Sequence, residues 1–192
     1  IRVTLTDGNS QMLVASYNGK VVRFPEDTVR PMGRTATGVR AIKLDEDGKD
    51  RVIGMICVEQ GSKDSVLVIS EKGFGKRTLL DDENGEPIYR ITNRGGKGVK
   101  TMNITDKTGN LIGLEAVNDD MDLMLITKAG TAIRMAMDAI SVLGRATQGV
   151  KLIELQKRND TLMFGCTVPK EEQEEVAESE EVTTEETTTT EE

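Results

Sequence analysis

The chain reads as an all-β protein, a propeller-like array of four-stranded blades followed by a disordered acidic tail, and three recurrences carry that reading. A short basic phrase bounded by glycines, here called a box, is written three times: Met32-Gly33-Arg34-Thr35-Ala36-Thr37-Gly38-Val39, Thr92-Asn93-Arg94-Gly95-Gly96-Lys97-Gly98-Val99 and Leu143-Gly144-Arg145-Ala146-Thr147-Gln148-Gly149-Val150. A base follows each copy at once: Arg40, Lys100 or Lys151. An apolar run that meets a glycine turn and leaves on a basic strand keeps the same beat at Met12–Arg23, Val66–Arg77 and Leu123–Arg134. A third apolar run recurs at Val52–Val58, Leu111–Val117 and Leu162–Val168. The box arginines stand 60 and 51 residues apart, and the turn glycines Gly19, Gly73 and Gly130 stand 54 and 57 apart. That period suits a unit of several strands, not a helical repeat of about 34 residues.

Taken in order, Ile1–Thr6 followed by Asp7-Gly8-Asn9 reads as the close of an earlier repeat, so one or more N-terminal blades are expected to be missing. The Asn18-Gly19 dipeptide and the β-branched content of Lys20–Phe24 predict a hairpin. Pro25 and Pro31 keep the region around Thr28 out of any central ladder, because proline has no N–H to donate. Asp45-Glu46-Asp47-Gly48 and Thr108-Gly109-Asn110 mark turns at matching places in the repeat. Alternation in Val66–Ser70 predicts the next hairpin, and Met135–Val142 is a short helical candidate. Stacked four-stranded units protect their sheet edges by radial repetition and draw their core from neighbours. Three units alone leave two open faces, so the array is either part of a ring or an arc. Residues 1–168 are assigned to this partial domain and 169–192 to the tail.

The net charge of −8 is unevenly placed. Residues 170–192 hold eleven of the 33 acids and one of the 25 bases, leaving 22 acids against 24 bases before them. With runs of Thr and little that is apolar, that segment cannot offset its ordering entropy by burial, which predicts disorder. The remainder is long enough for a substantial core. No apolar stretch approaches the roughly 18 to 20 residues of a membrane span and no signal segment opens the chain, so no membrane contact and a cytoplasmic location are expected. Cys57 and Cys166 lie inside apolar runs without metal-ligand spacing and read as buried free thiols.

Catalysis finds little support. The chain has no histidine, and neither cysteine has an activating neighbour in sequence. Tyr17 and Tyr89 lie in a turn and a connector, without a basic or metal-binding context. Gly73-Phe74-Gly75-Lys76-Arg77-Thr78 looks superficially like a phosphate-binding P-loop, yet Ser70 replaces the first glycine and Arg77 separates lysine from threonine. Asp45–Asp50 has the acids of a calcium loop without its closing glutamate. No catalytic residue, cofactor or metal site is therefore assigned to this chain.

Each box admits two readings. One is a glycine-rich connection between blades, in which glycines allow positive φ and Val39, Val99 and Val150 re-enter the sheet. The other is a phosphate site, since exposed backbone amides beside an arginine suit a phosphate oxygen. Repeated at each blade edge, such sites would form a basic track for duplex DNA, held by its backbone and not by its bases. Three Phe and two Tyr are too few for single-strand stacking platforms. Bending a 20–30 base-pair segment costs on the order of 1–6 kcal/mol. Several cationic contacts can offset that cost, each steepening the salt dependence by about 0.9 in log-log slope.

Residues 1–168, and above all Arg23-Phe24-Pro25-Glu26-Asp27-Thr28-Val29-Arg30-Pro31-Met32-Gly33-Arg34-Thr35-Ala36-Thr37-Gly38-Val39-Arg40, resemble the C-terminal β-pinwheel domain of the bacterial DNA gyrase A protein. The resemblance implies blades whose basic perimeter wraps DNA and presents it to the cleavage gate of a type IIA topoisomerase. It further implies a parent enzyme, an isomerase of DNA topology that introduces negative supercoils, using ATP and Mg2+ and built from two A and two B subunits. By the same resemblance Arg34, Arg94, Lys97 and Arg145 are the expected phosphate ligands, with Arg40, Lys100 and Lys151 in second place. Lys76, Arg77 and Arg134 are weaker candidates that could equally form a solvated strand face. The family's defining box, a glutamine followed by two arginines, two glycines, a basic residue and glycine, has no intact copy; Asn93-Arg94-Gly95-Gly96-Lys97-Gly98 comes nearest, and the true box is expected upstream of Ile1. Rival readings are the corresponding domain of the topoisomerase IV A protein and a propeller-type protein-interaction scaffold. The acidic tail reads either as a competitor for the chain's own basic perimeter or as a solubilising terminus.

Overall fold

The computed structural model describes residues 2–155 and 160–170. Hairpin formation is local and repeats three times. β1 (Gln11–Ser16) and β2 (Lys20–Pro25) join at Gly19; β4 (Ser65–Ser70) and β5 (Phe74–Leu79) join at Gly73; β8 (Met121–Thr127) and β9 (Ala132–Ala136) join at Gly130. All three glycines have positive φ, between 80° and 85°, as the tight turn demands. The third apolar run of each repeat becomes β3 (Val52–Val58), β7 (Leu111–Val117) or β11 (Leu162–Pro169), each antiparallel to the first strand of its hairpin. The register shifts at the same place in all three, at Ala15/Ser16, Ile69/Ser70 and Leu162/Phe164.

The fourth strand does not come from the repeat it belongs to in sequence. Two-residue strands follow the second and third boxes, β6 (Val99–Lys100) and β10 (Val150–Lys151). Each crosses to the preceding repeat: β6 pairs with β2, setting Lys20 opposite Lys100, and β10 pairs with β5, setting Phe74 opposite Lys151. The sheets therefore run β3-β1-β2-β6, β7-β4-β5-β10 and β11-β8-β9. Four strands per blade were expected, and two blades have them; the third sheet has three, and Val39 enters no strand among the described residues.

Packing arranges the sheets in layers. Val66 and Val68 point into one apolar cluster with Leu13, Ala15, Tyr89 and Met102, while Leu67 and Ile69 point into another with Leu123, Leu125, Met137 and Ile140. The middle blade is thus buried on both faces, so all six residues of β4 are buried. The first blade turns Met12, Val14, Val22 and Phe24 to a third cluster, which Ile42 and Leu44 cover from the exit of the first box. β3, β7 and β11 contact one another at one edge of the array, and the box strands lie at the opposite edge of their sheets. That order puts the boxes on the perimeter.

Three expectations need revision. The helical candidate Met135–Val142 is the end of β9 followed by one 3-10 turn, Met137–Ala139, the counterpart of the turn Glu26–Thr28 after β2. The β-branched and apolar residues there serve the strand and the interblade layer. Cys57 and Cys166 are free but only half-buried, because each sits in the strand at the inner edge. The folded array also continues through Lys170, whose N–H donates to the Asp120 carbonyl at 3.2 Å and whose ammonium pairs with Asp138 at 3.1 Å. The rest of the expected acidic tail lies outside the described residues.

Candidate nucleic-acid interface

The boxes take their shape from the glycine that closes each. Gly98 and Gly149 have φ of 72° and 78°, and a Cβ there would stand 2.5 Å from the Val21 carbonyl oxygen and 2.6 Å from that of Gly75. Only glycine lets the box lie flat enough on the preceding hairpin for β6 and β10 to pair. Past the pair, the Thr101 N–H donates to the Gly19 carbonyl and that of Leu152 to Gly73, both at 2.8 Å, so the box exit seals the turn of the hairpin before it.

Successive boxes are also bonded to one another. The exit of the first box meets the second, with the Gly95 N–H donating to the Ala41 carbonyl at 2.6 Å and the Lys43 N–H to the Gly96 carbonyl at 2.8 Å. The exit of the second meets the third, where the Asn103 N–H donates to the Thr147 carbonyl at 3.0 Å. The three boxes form one continuous rim.

On that rim Arg34, Arg40, Lys97, Lys100 and Lys151 are exposed, and Arg94 and Arg145 are half-buried. Arg94 donates through Nε to the Thr28 carbonyl at 3.0 Å, and Arg145 through Nη1 to the Lys100 carbonyl at 2.5 Å. Both arginines are thereby tethered to the neighbouring repeat while their other donors remain on the rim. Lys100 reaches Asn103 Oδ1 at 3.4 Å, and Lys151 pairs with Glu154 at 2.6 Å, which partly neutralises it. A shallow cavity of about 460 Å3 opens at the second box between Arg90, Asn93, Arg94 and Lys97, over Val21 and Val22. Sequence reasoning passed over Arg90, although a base also stands four residues before the first box arginine, at Arg30.

Of the hairpin bases, Lys76 and Arg77 are not a solvated strand face. Arg77 is 8 % exposed; its Nε donates to the Ile140 carbonyl at 2.9 Å and its Nη1 to Asp119. Its counterpart Arg23, 4 % exposed, donates to Gln11 Oε1, to Asp81, and to the carbonyls of Leu80 and Tyr89. Arg134 pairs with Asp122 at 2.8 Å and donates to the Pro169 carbonyl at the same distance. Arg23 and Arg77 turn inward to carbonyls that lie outside the strand ladders, whereas Arg134 stays exposed. Lys76 is fully buried, and its ammonium donates to the carbonyls of Gly144 and Arg145 at 2.5 and 2.6 Å and to Thr147 Oγ1 at 3.1 Å. The glycine-rich stretch around it therefore does not fit a nucleotide: it is a hairpin whose lysine lies beneath the third box.

The tyrosines are engaged in packing. Tyr89 is fully buried with its hydroxyl 2.7 Å from Thr101 Oγ1. Tyr17 donates to Glu71 at 2.9 Å under the Arg51 guanidinium, 3.8 Å from the ring centre. Burial is the main cause holding both phenols above their ordinary range. In the acidic turn, Asn18 and the backbone amides of Lys49 and Asp50 bring Asp47 down to about 2. Among the described residues no group of three or more His, Cys, Asp or Glu could hold a metal ion, and no helix is long and apolar enough to cross a membrane.

Radially repeated antiparallel sheets, interlocked by a strand from the next repeat and edged with basic glycine boxes, define a β-propeller-class array with a cationic rim. The chain matches the DNA gyrase C-terminal domain, beta-propeller family over residues 11–59, 64–118 and 122–164, one segment per repeat, and belongs to that family. The DNA gyrase A protein of Staphylococcus aureus (strain MRSA252) is 46% identical over 155 residues, which cover 81% of this chain and 17% of the relative. The chain thus spans about a sixth of that relative's length. Among solved structures, the C-terminal domain of DNA topoisomerase IV aligns with a TM-score of 0.77 at 20% identity, covering 88% of this chain and 49% of that one. The DNA gyrase A C-terminal domain aligns at 0.71 and 24%, covering 83% and 50%. At these identities the structural likeness establishes the fold, and the family match separates the chain from a generic scaffold.

Proposed function

We propose that this chain binds duplex DNA along its rim of boxes and, as part of a gyrase A protein, wraps it so that the parent enzyme introduces negative supercoils. The observation that carries the reading is the bonded succession of boxes, which sets cationic side chains from three repeats on one edge. Arg34, Arg94, Lys97 and Arg145 are the principal phosphate contacts; Arg40, Lys100 and Lys151 add a second row, with Lys151 weakened by Glu154. Such contacts are blind to base sequence and position the duplex through its backbone. The parent, with its B protein in an A2B2 assembly, would supply ATP, Mg2+ and the cleavage chemistry, and would act on the bacterial chromosome in the cytoplasm. The gyrase reading is preferred over topoisomerase IV on the 46% sequence identity.

Binding to a linear duplex of roughly 40 base pairs across a salt series tests this, where wrapping requires several phosphate contacts. Replacing Arg34, Arg94, Lys97 and Arg145 together by alanine should flatten the log-log salt slope by about 3 to 4. Equal slopes for the two proteins would remove these residues from the interface.

A further inference from the structure

The third box has a device that the second lacks. At the hairpin position three residues after the turn glycine, the first repeat has Val22 and the second has Lys76. Under the second box this leaves the cavity floored by Val21 and Val22. Under the third, the Lys76 ammonium spends its three donors on Gly144, Arg145 and Thr147, and Arg145 in turn reaches the Lys100 carbonyl of the second box.

We propose that Lys76 is a positioning residue for the third box: its buried ammonium gathers the carbonyls of the Gly144–Thr147 turn inward, leaving Arg145 and the turn's outward groups set for phosphate, so that binding at this blade depends on Lys76 carrying its charge. The role rests on the DNA-binding reading above. Three converging acceptors are what an ammonium requires and what a neutral amine, with two hydrogens, cannot fully use. A positive charge beneath the box also adds to the field felt by a phosphate above it.

Burial, with Arg145 adding to it, brings the Lys76 ammonium down to about 8, within reach of ordinary buffers. The groups that face it from the neighbouring elements are either apolar or engaged with partners of their own. Val68 faces Lys76 across the ladder and carries no charge. Lys151 on β10 is paired with Glu154, Arg77 is held by Ile140 and Asp119, and the Tyr89 phenol, which also feels Arg145, is pushed up. Bound phosphate favours the ammonium and raises its pKa. Affinity is therefore full below pH 8 and falls as pH rises from there to the raised value, with uptake of a proton on binding.

The test is DNA affinity of the 192-residue chain between pH 7 and 9.5 at fixed low salt, for wild type, Lys76→Arg and Lys76→Met. A loss of up to about tenfold is expected for wild type if phosphate lifts the ammonium by one pKa unit. Lys76→Arg, charged throughout, should bind at every pH without that fall. Lys76→Met keeps the apolar stem, and should bind more weakly with no such fall. Subtracting its profile from that of wild type isolates the part of the pH dependence that belongs to Lys76. A wild-type profile that is flat, or a Lys76→Met profile that falls as steeply, overturns the proposal. If wild type does not bind DNA at all, the functional reading fails, and the clamp is decided by NMR: the Arg145 and Ala146 amide signals should titrate near pH 8 in wild type and not in Lys76→Met, and their failure to do so overturns it.

Discussion

Arg23 and Arg77 occupy equivalent places in consecutive hairpins and do the same work: each carries a guanidinium into the interior to a carbonyl outside the ladders, that of Tyr89 for Arg23 and of Ile140 for Arg77. Their acidic partners contribute less than the geometry suggests, since Asp119 is 72% exposed and Asp81 33% exposed, where water screens the pair. Asp119→Asn should therefore cost below about 1 kcal/mol. Arg23→Met, which strands the Tyr89 carbonyl and Gln11 while the Leu80 carbonyl keeps the Ile88 N–H, should cost about 3 kcal/mol, at roughly 1–3 per stranded group. Denaturant titration of the two variants checks the order, and a larger loss for Asp119→Asn would show that charge, not buried hydrogen bonding, governs these sites. The sequence ranked Arg77 below Arg145 but left it as a possible solvated strand face, because its burial depends on what it meets across the repeat boundary, the Ile140 carbonyl and Asp119.

At the scale of elements, the exchange of β6 and β10 into the preceding sheet makes the first two hairpins depend on the box of the following repeat, as when Val21 pairs with Val99 and Gly75 with Val150. Gly149 controls the second exchange, because any side chain there would both strain a positive φ and strike the Gly75 carbonyl. Gly149→Val should release β10 from β5 and raise hydrogen exchange at amides of the box exit, above all at Leu152, whose N–H is bonded to Gly73. Faster exchange confined to residues 144–151, with Leu152 still protected, would contradict this coupling. The hairpins themselves were legible, since turn glycines and two-residue periodicity are properties of contiguous residues. The expected alternation in Val66–Ser70 turned into a fully buried strand because its second face meets another blade, a fact that only neighbours supply.

For the whole molecule, interlocked sheets and two interblade clusters predict cooperative unfolding, in contrast to a string of independent repeats. Thermal denaturation followed by circular dichroism should show one transition, and Arg77→Met should lower its midpoint without splitting it. Two resolved transitions would mean that the blades are energetically separate. The same interlocking explains the rim: by binding each box exit to the next box, the fold holds charges from repeats 51 and 60 residues apart in a fixed succession, which isolated loops would not keep.

By itself the sequence determined the repeat, the hairpins, the all-β class and the basic boxes with Arg34, Arg94, Lys97 and Arg145, because turn chemistry, strand patterning and recurrence are local or periodic. Only the tertiary structure decided that each box strand serves the hairpin before it, that Arg23, Arg77 and Lys76 are buried while Lys97 and Arg40 stand on the rim, and that the boxes join one another. Those outcomes depend on which distant carbonyl or apolar face a residue meets. The free energy of desolvating a charge is settled by that meeting, not by the identity of the residue that carries it.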